Sequence, residues 1–291
     1  PFKALRPAEN FAAGVASRPY DVLNREEAKK EAAENTASFL HITKSEIDLP
    51  ESVDIHDQAV YEKAKENLKA FIDNHILLQE DAPAYYIYQL VMNGKSQTGL
   101  VAVSSVDDYE QDVIKTHEFT RPEKEQDRIN HITITGAQTG NVFLAYRDVA
   151  ALNELISEWK RTHTAIYDFV AEDGIRHSVW LVDQPATIQQ ITGIFDEQVP
   201  ETYIADGHHR AASAAKVRKG LGADKTPAAD YFLTTLFPAS ELQMVDYNRV
   251  ITDLNGLSVE QFLEKMAENF TVTLSDEPVK PASLHHIGLY M

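Results

Sequence analysis

The chain of 291 residues contains no cysteine, which excludes disulfide staples, thiol nucleophiles and every cysteine-ligated zinc or iron–sulfur centre. It is also poor in positive charge: 27 Lys and Arg stand against 45 Asp and Glu, a formal net charge of -18. Such a field repels phosphate backbones and anionic lipid, so nucleic acid is not an expected partner. No apolar run approaches the roughly 20 residues that cross a bilayer. The N-terminus lacks a basic stretch followed by an apolar one, so no membrane partner and a cytoplasmic location are expected. Repeats, low-complexity tracts and Gly/Ser/Pro linkers are missing too, the 12 Gly and 12 Pro being scattered as punctuation.

What is present is an ordinary globular composition, 43% hydrophobic and 25% charged, sufficient for one large core or two smaller ones. The expected organisation is one main α/β unit over residues 1–291, with a soft subdivision into 1–110 and 111–291. The chain opens at Pro1 and stops at Met291 within an apolar stretch, 285–290, that reads as a strand in progress; truncation at the C-terminus is expected. No pattern indicates an oligomeric state.

Several local patterns specify elements. Phe2–Pro7 reads as an edge strand ending at a proline, and Ser17–Leu23, stiffened by Pro19, as a second extended piece. Asn24 followed three residues later by Glu27 is a capping box opening a helix over 25–35. Val60, Ala64, Leu68, Phe71 and Ile72 recur at spacings of four and three, the stripe of an amphipathic helix over 57–73. Two β-rich runs, 85–91 and 98–106, flank Asn93-Gly94, a hairpin turn. Further on, strands at 141–146, 165–170, 179–182, 202–205, 231–237 and 270–274 alternate with helices at 152–159, 186–196, 209–219 and 259–269. The fold class is therefore mixed α/β (α+β), with the strand order not readable from the sequence.

Two constellations carry chemistry. In the first, Asp206-Gly207-His208-His209-Arg210 joins the apolar strand Tyr203–Ala205 to a helix rich in alanine. A strand-to-helix turn offers free backbone N–H groups to an anion, Gly207 permits positive φ or close approach, and Arg210 supplies a fork for phosphate or carboxylate. Asp206, at the carboxyl end of its strand, could act as a base or hold Mg²⁺. Singly, these residues are a helix cap, a turn glycine and two solvated histidines; five together between apolar elements point to a site. Zinc on the adjacent His208 and His209 is disfavoured because no third ligand lies at useful spacing.

The second constellation is the charged segment 114–128. Thr120 or Arg121 opens a helix with Pro122 at its first position, which again exposes N–H donors, and His117 and Glu118 are candidate acid, base or metal groups. Glu123, Lys124, Glu125 and Arg128 read as a solvated, ion-paired helix face, although Arg128 is also a candidate phosphate contact. The loop 135–141 carries Gly136 and Gly140 but matches no phosphate-loop pattern. Tyr20 and Asp21, beside Pro19, are candidate pocket residues.

Taken in order, Pro1–Pro7, Ser17–Val22, Ser38–Thr43, His117–Thr120, Ala205–Arg210 and Asp246–Arg249 resemble the successive blocks of a bacterial and archaeal family catalogued as domain of unknown function 1015. The Asp-Gly-His-His-Arg turn is also similar to the phosphate-binding turn of the ParB and sulfiredoxin superfamily, which includes free-serine kinases with an Asp-Gly-His-x-Arg signature. That likeness implies a ParB/sulfiredoxin-like core with added strands and helices. It implies phosphoryl transfer on a small metabolite, serine or phosphoserine, with Mg²⁺ and ATP or ADP where a nucleotide takes part. Gly207 to Arg210 would then cradle phosphate, with Asp206 or a histidine assisting the hydroxyl. Beside that likeness, the residues themselves offer Thr120, Arg121, Arg128, Tyr20 and Asp21 as candidate phosphate or substrate contacts and Asp206, His208, His209, His117 and Glu118 as candidate catalytic groups. The alternative is a non-catalytic regulator that binds a nucleotide or phosphorylated metabolite through the same turn. No Walker lysine or kinase catalytic signature is present.

Overall fold

The computed structural model describes residues 1–243 and 248–291, so Asp246 and Tyr247 of the last sequence block lie outside the described residues. By its contacts the chain divides into two compact units, Pro1–Gln243 and Met244–Met291.

In chain order the strands are β1 (Leu5–Pro7), β2 (Leu77–Gln79), β3 (Tyr85–Met92), β4 (Lys95–Ser105), β5 (Ile114–Lys115), β6 (Val142–Tyr146), β7 (Tyr167–Val170), β8 (Arg176–Val182), β9 (Thr202–Asp206) and β10 (Tyr231–Pro238). The helices are α1 (Ala12–Val15), α2 (Arg25–Ala32), α3 (Leu40–Thr43), α4 (Gln58–Asp73), α5 (Val106–Glu110), α6 (Pro122–Thr135), α7 (Ala150–Thr162), α8 (Pro185–Gln198), α9 (His208–Leu221) and α10 (Val259–Ala267). Eight strands form one sheet in the order β5-β9-β6-β10-β4-β3-β8-β7, and β1 pairs antiparallel with β2 in a small second sheet. The pairs β5/β9 and β6/β10 are parallel and the remaining neighbours antiparallel. The protein is thus a mixed α/β fold around a large mixed sheet.

Local sequence accounts for much of this. Asn93 and Gly94 both take positive φ, 51° and 75°, which matches the twist of the β3–β4 hairpin they close. The Asn24–Glu27 capping box opens α2, and Asp57 caps α4, which buries Val60, Ala64, Leu68 and Phe71 of its apolar stripe and leaves Ile72, near its end, exposed. The main core joins the sheet to Leu152, Ile156 and Trp159 of α7, Ile191 and Ile194 of α8, and the alanines Ala211, Ala214 and Ala215 of α9. Alanines let α9 lie close to the strands while still removing apolar surface from water. A smaller cluster of Leu23, Ala28, Ala32, Leu40 and Ile47 anchors residues 43–48. There the guanidinium of Arg25 donates to the carbonyls of Glu46, Leu49, Pro50 and Val53 at 2.8 to 2.9 Å.

Three sequence expectations differ. Ser17–Leu23 is not extended throughout: residues 20–22 form a 3-10 turn, from which Asp21 meets Arg210 of α9 and Tyr20 meets Arg128 of α6. Residues 270–274 and 285–290 form no strand, since neither is paired to a ladder among the described residues, and a strand persists only where its backbone groups find partners. Among the described residues of unit 2 the regular element is α10, opened by a Ser258–Gln261 capping box.

Candidate functional site

The site is built at the carboxyl end of β9. Asp206 pairs with Phe143 of β6 while Ile204 pairs with Leu144, so the register slips and Ala205 is left as an extra residue. This bulge re-aims the last residue of the strand. Gly207 follows at φ 97° and ψ 27°, a left-handed conformation, as the N-cap of α9, and no side chain caps the helix. A Cβ there would stand 3.2 Å from the Val142 backbone, so the turn requires glycine for both conformation and space. Asp206 is therefore not the helix cap. It is 68% exposed and lies 3.3 Å from Arg210 one turn later.

Arg210 is the hub. Only 15% of its side chain is exposed, and it donates to the Asn141 carbonyl at 2.8 Å and to Asp21 at 2.9 Å. Its guanidinium stands 5.6 Å from the centre of the Tyr20 ring, and that of Arg128 stands 3.8 Å from the same ring. Two guanidinium groups and one aromatic face thus converge on a cavity lined also by His131, Gln138, Thr139 and Gly140. Burial is the largest single influence on the Arg210 pKa and pulls it down, but Asp21, Tyr20 and Asp206 together outweigh it and hold the guanidinium above its ordinary value.

The segment after β5 docks onto the same turn through the two histidines. The His117 N–H donates to His208 Nε2 at 3.4 Å and the Arg121 N–H to His209 Nε2 at 3.0 Å. Because each Nε2 accepts, each neutral ring carries its proton on Nδ1, and His208 directs Nδ1 toward Glu118 at 3.6 Å. Burial, with the neighbouring His117 ring packed edge-on at 4.6 Å, pulls the His208 pKa down despite Glu118 and Asp206, which keeps the ring neutral for that role. Glu118 is mostly exposed, whereas His208 is sealed off.

Helix α6 starts as the sequence predicts, with Arg121 at the N-cap and Pro122 at its first position. Its solvated-face reading holds for Glu123 and Lys124, which are exposed, and needs correction for the other two. Glu125 and Arg128 are buried, 4% and 9% exposed, because α6 lies between α4 and α9 and turns this face inward. Glu125 is paired with Lys216 of α9. Burial pushes the Glu125 carboxyl up, but Lys216 and the Thr120 hydroxyl outweigh it and hold the pKa below its ordinary value. Thr120 is therefore turned inward to Glu125, and Arg121 enters through its backbone N–H.

Residues 125, 128 and 131 share one helical face, and the third belongs to neither sequence constellation. His131 is 3% exposed, its Nε2 is 3.0 Å from the Ile42 carbonyl, and its Nδ1 has no hydrogen-bond partner among the described residues. A carbonyl only accepts, so Nε2 carries the proton and Nδ1 presents a bare lone pair. His131, Arg128 and Tyr20 also wall a second cavity of about 50 Å³ with Lys44, Glu46, Tyr61 and Asp127. The signal that points to His131 is a run of polar residues at spacing three on a face that the helix must bury.

Burial, reinforced by the Arg128 charge, pulls the His131 pKa from 6.5 to about 4. The unfolded chain then takes up a proton that the fold refuses, so stability present above pH 6.5 falls as pH drops toward 4, by about 3 kcal/mol across that window. Urea unfolding of wild type and His131→Phe at pH 7.5 and 4.5 measures this. The variant should lose less stability on acidification, and parallel losses in both would refute the assignment.

The structure thus brings together Tyr20, Asp21, His117, Glu118, Thr120, Arg121, Arg128, Asp206, Gly207, His208, His209 and Arg210, with Asp21 and Arg210 in contact across 189 positions of sequence. Among the described residues no group of three or more His, Asp or Glu is placed to hold a metal ion, so the four residues His117, Glu118, His208 and His209 do not form a metal cage. Nor is any described helix long and apolar enough to cross a membrane.

The fold and site define a mixed α/β protein with a strand-turn-helix junction at the carboxyl end of β9. The chain belongs to the family described as "Protein of unknown function (DUF1015)", whose model matches residues 1–291. No curated protein and no solved structure matches it.

Proposed function

We propose that this protein is a phosphoryl-transfer enzyme acting on a small metabolite, serine or phosphoserine. The observation that carries this reading is the meeting of two sequence-distant segments: the Gly207–Arg210 turn and the His117–Arg121 strap are joined by the His208 and His209 hydrogen bonds, beside the Arg128–Tyr20–Arg210 stack. Phosphoryl transfer needs neutralised charge and positioning more than covalent help from the protein. Arg210 and the uncapped start of α9 supply the first. Glu118, 3.6 Å from His208 Nδ1, supplies a carboxylate that reaches solvent and so reaches a substrate hydroxyl.

In the kinase direction the substrate hydroxyl passes its proton to Glu118 as its oxygen bonds to the terminal phosphorus of a nucleotide, and the bond from that phosphorus to the bridging oxygen breaks onto the departing nucleotide. In the hydrolytic direction water passes its proton to Glu118 as its oxygen bonds to the phosphorus, the bond from phosphorus to the ester oxygen breaks, and that oxygen takes up the proton to leave as the alcohol. Asp206, exposed beside the turn, is the group available to a nucleotide-borne Mg²⁺. The likeness of the turn to that of ParB/sulfiredoxin-like proteins supports the phosphate assignment and the corresponding core.

Phosphorus NMR tests this, with Mg²⁺ and phosphoserine alone, phosphoserine plus ADP, and serine plus ATP or ADP. Free phosphate from phosphoserine alone identifies a phosphatase and nucleotide-dependent exchange a kinase; no change in any tube refutes the serine assignment. One observation favours a non-catalytic regulator: both Nε2 atoms of the turn histidines are spent on backbone N–H groups, which suits holding a ligand better than moving a proton. Calorimetric binding of phosphoserine or nucleotide without turnover would select that reading.

A further inference from the structure

The loop between α6 and β6 lies along Arg210. Helix α6 ends at Gly136, left-handed at φ 68°, and β6 begins at Val142, which pairs with Thr234 of β10. In between, Gln138 behaves as a piece of strand: its Oε1 accepts from the Leu233 N–H at 2.8 Å, and its Nε2 donates to the Tyr231 carbonyl at 2.8 Å. One side-chain amide thus does what a peptide group does in a ladder, and it fixes the loop against β10 ahead of the first β6 pair. Three residues further on, the Asn141 carbonyl accepts from Arg210 Nη1 at 2.8 Å.

Between these two anchors stands Gly140. A Cβ there would lie 3.3 Å from Arg210 Cδ and 3.4 Å from Nε, closer than side chains ordinarily pack. The φ of Gly140 is not left-handed, so this glycine answers a need for space alone. Gly207 flanks the same arm, its added Cβ standing 3.6 Å from Arg210 Cδ. The Arg210 bonds to Asn141, Asp206 and Asp21 all use the terminal nitrogens Nη1 and Nη2. Beside the cavity that Gln138, Thr139 and Gly140 line, the Nε edge of the guanidinium is therefore bordered by residues without side chains.

We propose that the phosphate sits on the Nε edge of Arg210, which Gly140 keeps open, and that Gln138 is a positioning residue that holds this loop, and through Asn141 the guanidinium, in register with the anion. This rests on the phosphate reading above and gives the anion its place within the same site. A guanidinium offers its N–H groups as a planar fork, and an edge bordered by glycine leaves room for two phosphate oxygens where a side chain would not. The Gln138 amide is committed to β10, so its effect on the anion passes through the loop.

The experiment uses the full chain with inorganic phosphate as the probe, followed by calorimetry and by nitrogen NMR of the Arg210 Nε–H. In the wild type phosphate is expected to shift that resonance. Gln138→Met keeps the length of the side chain and loses both bonds to β10. It should bind phosphate about tenfold more weakly, the effect of one charge-assisted hydrogen bond, and its Arg210 Nε–H signal should move toward those of exposed arginines even without ligand. A merely structural role would lower the urea midpoint and leave the affinity and the Arg210 signal of the folded protein as they are. Gly140→Ala, which meets no backbone strain, should weaken binding by about tenfold as well and tests the seat whether or not Gln138→Met folds. Wild-type affinity in Gln138→Met overturns the positioning role. Wild-type affinity in Gly140→Ala, or an Nε–H resonance that phosphate leaves unmoved while calorimetry shows binding, overturns the seat. No binding to the wild type at all refutes the phosphate reading itself.

Discussion

Replacing Arg210 with alanine is expected to weaken phosphate and phosphoserine binding by about a hundredfold or more, the scale of losing a charge-assisted, two-pronged contact. Arg210 is the one group that touches the Asn141 carbonyl, Asp21, Asp206 and the Tyr20 face, so its loss removes the positive centre and opens the cavity at once. It also leaves two carboxylates facing each other without a cation. Both still reach water, which limits the stability cost to about 1 kcal/mol. Arg210→Lys should keep part of that stability and little of the binding, since a point charge cannot span Asn141 and Asp21 together. Asp206→Asn is the control: the exposed carboxylate should be lost with no more than about 0.5 kcal/mol of stability. Calorimetry and urea unfolding read both effects. Wild-type phosphate affinity in Arg210→Ala would remove the turn from the site.

Gly207→Ala is expected to be the costliest conservative change in the site. At φ 97° an added Cβ is strained by about 1–3 kcal/mol. At 3.2 Å from the Val142 Cα it also presses on backbone that cannot swing aside. A total near ~3 kcal/mol would follow, with ligand binding lost as the start of α9 is displaced. Gly94→Ala supplies the comparison: its φ is also positive, but the space around it is open. The excess cost of Gly207→Ala over Gly94→Ala in urea midpoints isolates the contact with β6. Equal costs would show that β9 and β6 yield, and that the turn is less tightly specified than its bulge and glycine indicate.

Part of the candidate site is legible in the amino-acid order. The run from Tyr203 through Arg210 to the alanine helix announces its own geometry, because a short apolar strand, a glycine and small residues each restrict the local backbone. Pro122 likewise marks the start of α6. The hydrophobic period predicts α4, and Asn93-Gly94 the hairpin. Each of these signals acts within a few residues. Tyr20 and Asp21 stand out as pocket residues beside Pro19, yet their partner Arg210 does not follow from them, since nothing local couples positions 189 apart. Glu125 and Arg128 mislead for the opposite reason. A charged helix face is ordinarily solvated, and only the approach of α4 and α9 turns this one inward.

By itself, then, the sequence determined the class of fold, most of its helices and strands, the absence of thiol chemistry, and the turn with Gly207 at its centre, all of which follow from composition and short-range backbone preference. Tertiary structure alone decided that β10 would lie between β6 and β4, that the 117–121 strap would hang on two histidine rings, and that His131 would be sealed with a lone pair to spare. Those outcomes depend on which faces meet. Contacts between distant residues are selected by burying the whole apolar surface at once, and no local preference encodes that choice.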